Sequence, residues 1–87
     1  MRMRYEIRIT SENAPGTLYR IAGTMLRKKI NIESLHVQEI DPVRHLSQFT
    51  IEIFLEPDLM EKLIKQIQRI VEVTEAKYLA IGENGKA

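Results

Sequence analysis

Two asparagines and a Pro-Gly step are the residues of this 87-residue chain whose types and spacing suggest chemistry. Asn13, Ala14, Pro15 and Gly16 stand between an alternating run, "RYEIRIT", and a helical one, "TLYRIAGTMLRKK". Pro15 holds φ near a value that suits a helix start. Gly16 has no side chain, so its N–H is open to close approach. The first amides of the following helix have no partner within it and carry the positive end of its dipole. They form a concave donor site suited to a carboxylate, and the Asn13 side chain adds an acceptor and a donor. Such a site can hold both ends of a free amino acid, with amides on the carboxylate and the Asn13 oxygen on the ammonium. The same residues serve equally as a plain helix cap, since strand-to-helix turns use Asn, Pro and Gly for structural reasons alone. Asn31, between Ile30 and Ile32, has the same two readings: a ligand group, or a turn residue in left-handed geometry.

Other chemistries find little support. His36 and His45 are the only imidazoles and have no carboxylate-rich ligand pattern around them, so no metal site is expected. The chain has no Cys, hence neither a disulfide framework nor a thiolate ligand set. Ser34 falls in a predicted strand and not on a nucleophile elbow, and no paired acids or catalytic triad can be assembled. The run from Ser11 to Leu18 lacks the Arg that a small phosphatase of similar build would need to grip phosphate. A net charge of +1 gives no general attraction to nucleic acid or membrane. No apolar run approaches the ~20 residues of a membrane span, and charges interrupt the N-terminus too often for a signal sequence. A cytoplasmic protein is expected.

The elements that must position these residues follow from periodicity. Arg4 to Thr10 alternates, with Tyr5, Ile7 and Ile9 on one face and Arg4, Glu6 and Arg8 on the other, which predicts a half-buried strand. Leu18, Ile21, Ala22, Met25 and Leu26 recur at helical spacing, and Arg27, Lys28 and Lys29 close that helix where cations suit its dipole. Ile32 to Ile40 predicts a strand, Asp41-Pro42 a turn, and Leu46 to Leu55 a return strand with Phe49, Ile51 and Ile53 inward. A second helix carries Met60, Leu63, Ile67, Ile70 and Val71, with Ile64 beside them. Asp58 is its predicted N-cap, paired with Glu61 in a capping box. Val73 to Ile81 is the last strand. The order β-α-β-β-α-β predicts an α+β, ferredoxin-like sandwich: a four-stranded antiparallel sheet with two helices on one face, the first and third strands central. Residues 1–81 are read as one domain and 82–87 as a flexible tail. Glu33, Ser34, Leu35, His36 and Val37 lie on the second strand, a plain sheet edge that invites pairing with a second copy. Phe54 and Ile40 on the open sheet face suggest a contact with a larger partner.

The stretch "SENAPGTLYRIAGTMLRKKINIESL" resembles the ACT domain, the small-molecule sensing module of amino-acid metabolism. In particular it resembles the regulatory small subunit of acetolactate synthase (acetohydroxyacid synthase). The matching residues are Glu12-Asn13, Pro15-Gly16, Leu18, Arg20-Ile21, Gly23, the unbroken run Asn31 to Leu35, and Asp41-Pro42. Ile30 and Gln48-Phe49 depart from the common pattern of that family. The resemblance implies a non-catalytic regulatory subunit that binds a branched-chain amino acid, most often valine, at a homodimer interface. It assigns the effector to Asn13, Ala14, Pro15, Gly16, Thr17 and Leu18, with Asn31 and Ile32. It also implies a catalytic large subunit as partner, which would carry thiamine diphosphate, Mg and FAD; this chain is expected to hold no cofactor. A single ACT domain implies the short type of subunit or, alternatively, a free-standing amino-acid sensor acting on another enzyme.

Overall fold

The computed structural model describes residues 2–82. Six elements follow one another: β1 (Met3–Glu12), α1 (Thr17–Arg27), β2 (Ile32–Asp41), β3 (Leu46–Leu55), α2 (Pro57–Gln68) and β4 (Val73–Gly82). The strands form one sheet in the order β2-β3-β1-β4, all neighbours antiparallel. The ferredoxin-like arrangement and its central strands are those that the sequence predicts. The last strand reaches Gly82, the first residue of the expected tail; the rest of that tail lies outside the described residues.

The core forms where the alternating strands meet the helices. Ile7, Ile9, Ile51 and Ile53 on the central strands are fully enclosed, against Ile21 and Met25 of α1 and Met60, Leu63 and Ile67 of α2. On the other face of the sheet, Arg4 pairs with Glu52 and Arg8 with Glu6, and the Arg2 guanidinium stands 5.9 Å from the centre of the Phe54 ring. Tyr5 and Tyr78 meet edge to face at 5.5 Å, and the Tyr78 hydroxyl donates to Glu61.

Three expectations are corrected. The inward line of α1 is Thr17, Ile21, Thr24 and Met25, while Leu18 and Leu26 are exposed. The buried threonines are tolerable because each hydroxyl donates to a backbone carbonyl, Thr17 to Glu12 at 3.2 Å and Thr24 to Arg20 at 3.0 Å. In α2, Val71 does not belong to the apolar stripe: the helix ends at Gln68 and Val71 is 93% exposed in the turn beyond. Nor does Asp58 cap that helix. Glu56 is the N-cap, with Pro57 just inside the helix and no side-chain cap bond. Asp58 sits in the first turn, where its charge suits the dipole.

The left-handed residue after α1 is Lys29, at φ 59°, not Asn31. The Ile30 N–H donates to the Met25 carbonyl at 3.0 Å and that of Lys29 to Leu26 at 2.9 Å, the paired bonds of a Schellman ending. The hairpin between β2 and β3 is closed by the Asp41 carboxylate, which accepts the amides of Val43 and Arg44 at 3.1 Å each.

Two measurements check this packing. Leu63→Ala, which empties a fully enclosed site, is expected to cost about 2–5 kcal/mol in denaturant unfolding, and Val71→Ala less than about 0.5 kcal/mol. The pKa of Tyr5 is raised by its burial, and that of Tyr78 by its hydrogen bond to Glu61 followed by burial. The unfolded chain therefore loses these protons first, and stability falls as pH rises through the ordinary tyrosine range near 10. Tyr78→Phe is expected to flatten that fall in unfolding curves taken across the range.

Candidate functional site

The loop from β1 to α1 is a tight turn followed at once by a helix. The Thr17 N–H donates to the Ala14 carbonyl at 3.2 Å, and Gly16 lies at φ 85°, ψ −5°. These are the marks of a type II turn, with Pro15 at its second position and Gly16 at its third. Pro15 therefore shapes the turn before the helix and does not begin the helix itself. The turn is anchored from below: the Asn13 N–H donates to the His45 carbonyl at 2.6 Å and the Glu12 N–H to the Glu72 carbonyl at 2.9 Å. Ser11, fully buried, directs its hydroxyl to the Glu12 and Glu72 carbonyls, 3.1 Å from each.

Gly16 is the N-cap of α1, and no side chain caps the helix. Of the first helical amides, that of Thr17 is taken by Ala14 and that of Arg20 by Gly16. Those of Leu18 and Tyr19 have no backbone acceptor among the described residues. The Asn13 side chain does not close the helix mouth; the cap is the backbone turn itself, through Gly16. The mouth opens on a groove of about 690 Å³ lined by Asn13, Ala14, Gly16, Thr17, Leu18, Tyr19 and Ala22, with Val37 of β2 and Phe49 of β3 as its wall. Backbone donors without backbone acceptors, an asparagine and an apolar wall thus border one groove.

Five of the eight predicted effector residues line this groove: Asn13, Ala14, Gly16, Thr17 and Leu18. Pro15 shapes the turn but does not line it. Asn31 and Ile32 lie at the other end of the sheet. Ile32 is opposite Ile53, which is opposite Tyr5, whereas the loop follows Glu12, opposite Leu46. From Tyr5 to Glu12 a strand spans about 23 Å at ~3.3 Å per residue. Within one chain the two parts of the predicted site are therefore apart. Asn31 lines a different hollow, with Arg2, Lys29, Phe54 and Leu59, and its side-chain amide donates to Glu33 at 2.9 Å. Tyr19, Ala22 and Phe49 line the groove without having been predicted to. Ala22 had a legible signal, four residues after Leu18 on the same flank; Phe49 had none, being an ordinary core position of β3.

The edge strand is β2, hydrogen-bonded on one side only, to β3. Leu35 and Val37 on its helix-side face are 42% and 45% exposed; Leu18 of α1, which shares the groove with Val37, is 45% exposed and Leu26 is 66% exposed. Glu33, Ser34 and His36 are exposed on the same strand. Among the described residues, no three His, Cys, Asp or Glu side chains gather as a metal site. No helix there is long and apolar enough to cross a membrane.

Comparison with known proteins gives a consistent result. The AHAS small subunit-like ACT domain family matches residues 7–75. A probable acetolactate synthase small subunit of Archaeoglobus fulgidus is 37% identical over 70 residues, which is 80% of this chain and 43% of that protein. The acetolactate synthase small subunit of Haemophilus influenzae is 33% identical over 82 residues, 94% of this chain and 50% of the relative. The chain thus spans about half the length of the curated relatives it matches. The crystal structure of an acetolactate synthase small subunit from Thermotoga maritima superimposes with a TM-score of 0.75 at 25% identity, covering 86% of this chain and 46% of that one.

The turn makes a direct prediction. A methyl group at Gly16 would meet no atom within 4 Å, yet its φ is positive. Gly16→Ala is expected to cost about 1–2 kcal/mol through the backbone alone, with Gly16→Asn recovering part of the loss. Denaturant unfolding of the two variants distinguishes this strain from a steric clash, which would make Asn the worse of the two.

Proposed function

Because this chain belongs to the AHAS small subunit-like ACT domain family, we propose that it is a regulatory, non-catalytic subunit of an acetolactate synthase. It acts in the cytoplasm on a catalytic large subunit and binds a branched-chain amino acid, valine above others. The observation that carries the effector reading is the open mouth of α1. The amides of Leu18 and Tyr19 have no backbone acceptor among the described residues and stand beside the Asn13 side chain over a groove with an apolar wall. A carboxylate on those amides gains both hydrogen bonds and the helix dipole. The ammonium goes to an amide oxygen, and the branched side chain lies against Val37 and Phe49.

The separation of Asn31 from the loop supports a dimeric site. If β2 pairs antiparallel with its twin across a two-fold axis, the start of one β2 lies beside the end of the other. That end is Asp41, opposite Leu46 and so next to the loop after Glu12. Asn31 and Ile32 of the second copy then arrive at the mouth of α1 in the first. The exposed Leu18, Leu26, Leu35 and Val37 are covered by the same pairing. An effector held by both copies biases whichever arrangement of the pair binds it better, and this is the coupling a regulatory subunit needs.

Titration calorimetry with valine, leucine and isoleucine, alongside sedimentation equilibrium, tests the reading. A dimer that binds at least one of them is expected. A monomer at working concentration, or a dimer that binds none, sinks it. Asn13→Ala and Asn31→Ala are each expected to abolish binding, while a reassorted mixture of the two variants recovers it in part, since each mixed dimer keeps one intact composite site. No recovery on mixing would place both asparagines in one chain's site and refute the dimeric arrangement. Activity of a catalytic subunit with and without this chain tests the partner separately.

A further inference from the structure

The flank of α1 that faces α2 is cationic. Arg20 and Arg27, two turns apart on one side of the helix, line a hollow of about 550 Å³ with Arg69, the C-cap of α2. A second hollow of about 420 Å³ adds Lys28, the C-cap of α1. Thr24, Arg27, Arg69 and Ile70 line both, so the two form one groove. A single carboxylate lines it, Glu72, which is ion-paired with Arg20. The other Glu72 oxygen is enclosed and accepts no hydrogen bond among the described residues. Arg27, Lys28 and Arg69 form no ion pair among the described residues.

The chain as a whole carries a net charge of +1, so this concentration of cations does not follow from composition. The helix dipole accounts for a cation at each C-terminus. It does not account for three unpaired cations sharing one hollow, where like charges repel. We propose that the groove between α1 and α2 binds a multivalent phosphate-bearing anion through Arg27, Lys28 and Arg69. Guanidinium forks match the paired oxygens of a phosphate. Three cations around one hollow balance an anion of several charges better than a singly charged one, which favours linked phosphates. Tyr19 and Val71, both largely exposed at the Arg20 end, offer an apolar surface to whatever carries the phosphates. Tyr19 borders both this groove and the amino-acid groove, but Arg27, Lys28 and Arg69 do not line the latter, and the proposal does not depend on the amino-acid reading.

Calorimetric titration of the whole chain with inorganic tripolyphosphate at constant ionic strength tests the proposal, with orthophosphate and a pentaglutamate peptide as comparisons. One saturable site per chain is expected, about tenfold tighter for tripolyphosphate than for orthophosphate. Arg27→Gln with Arg69→Gln should weaken it about tenfold or more, while Arg44→Gln with Lys77→Gln, which removes the same charge elsewhere, leaves it unchanged. Thermal unfolding without ligand shows whether the double variant folds; relief of repulsion predicts a Tm no lower than that of the parent. If it does not fold, Lys28→Gln alone takes its place. Absence of saturation, an equal loss in the Arg44/Lys77 control, or tighter binding of pentaglutamate than of tripolyphosphate overturns the proposal. Loss of valine binding with tripolyphosphate binding intact would fall on the amino-acid reading alone.

Discussion

The positive φ of Gly16 is the constraint on which the rest of the site depends. The chain must leave a central strand and enter a helix within four residues, and a left-handed residue at the third turn position lets it do so. Because that residue is also the N-cap and brings no side chain of its own, the helix starts with donors that nothing covers. A Ser or Asp N-cap closes a helix mouth with its own side chain, but it does so from extended backbone and not from the left-handed conformation this turn requires. The anchoring below the turn, through Asn13 to His45 and Ser11 to Glu72, ties its position to the hairpin and to the start of β4, which are otherwise distant in sequence.

Helix α1 then carries different surfaces on its two flanks. Its inward line is narrow and includes two threonines, so its leucines are left exposed. Leu18 extends the apolar strip of the edge strand at Val37. The opposite flank holds Arg20 and Arg27 against the end of α2. One helix thus borders both a groove lined by apolar side chains and backbone donors and a groove lined by cations. A near-neutral total charge conceals this division, because the acids lie mainly elsewhere: Glu6 and Glu52 pair with arginines on the open sheet face.

Much of the architecture was legible because the strands alternate cleanly. Period-two patterning in β1 and β3 names both the strands and their inward faces, and Ile7, Ile9, Ile51 and Ile53 are enclosed as that pattern requires. The helices were less legible in detail. Apolar spacing alone assigned Leu18, Leu26 and Val71 to the core, because periodicity registers hydrophobic side chains without knowing where a sheet ends or a helix stops. Asp58 looked like a cap by residue type, but Pro57 had already begun the helix. Asn31 looked like a turn residue, but the Schellman bonds require the left-handed position at Lys29.

By itself the sequence determined the order of elements, the sheet with its central and edge strands, and the loop in which backbone donors gather. Those follow from local rules: alternation, helical spacing, and the conformations open to Pro and Gly. Only the tertiary structure decided that Asn13 and Asn31 lie at opposite ends of one sheet, since that depends on strand direction and register across three hydrogen-bonded neighbours. It alone decided that the Leu18 and Tyr19 amides stay uncovered, and that Arg27 and Arg69, far apart along the chain, share a groove. Each is a matter of what long-range packing brings together, and no short stretch of residues carries that information.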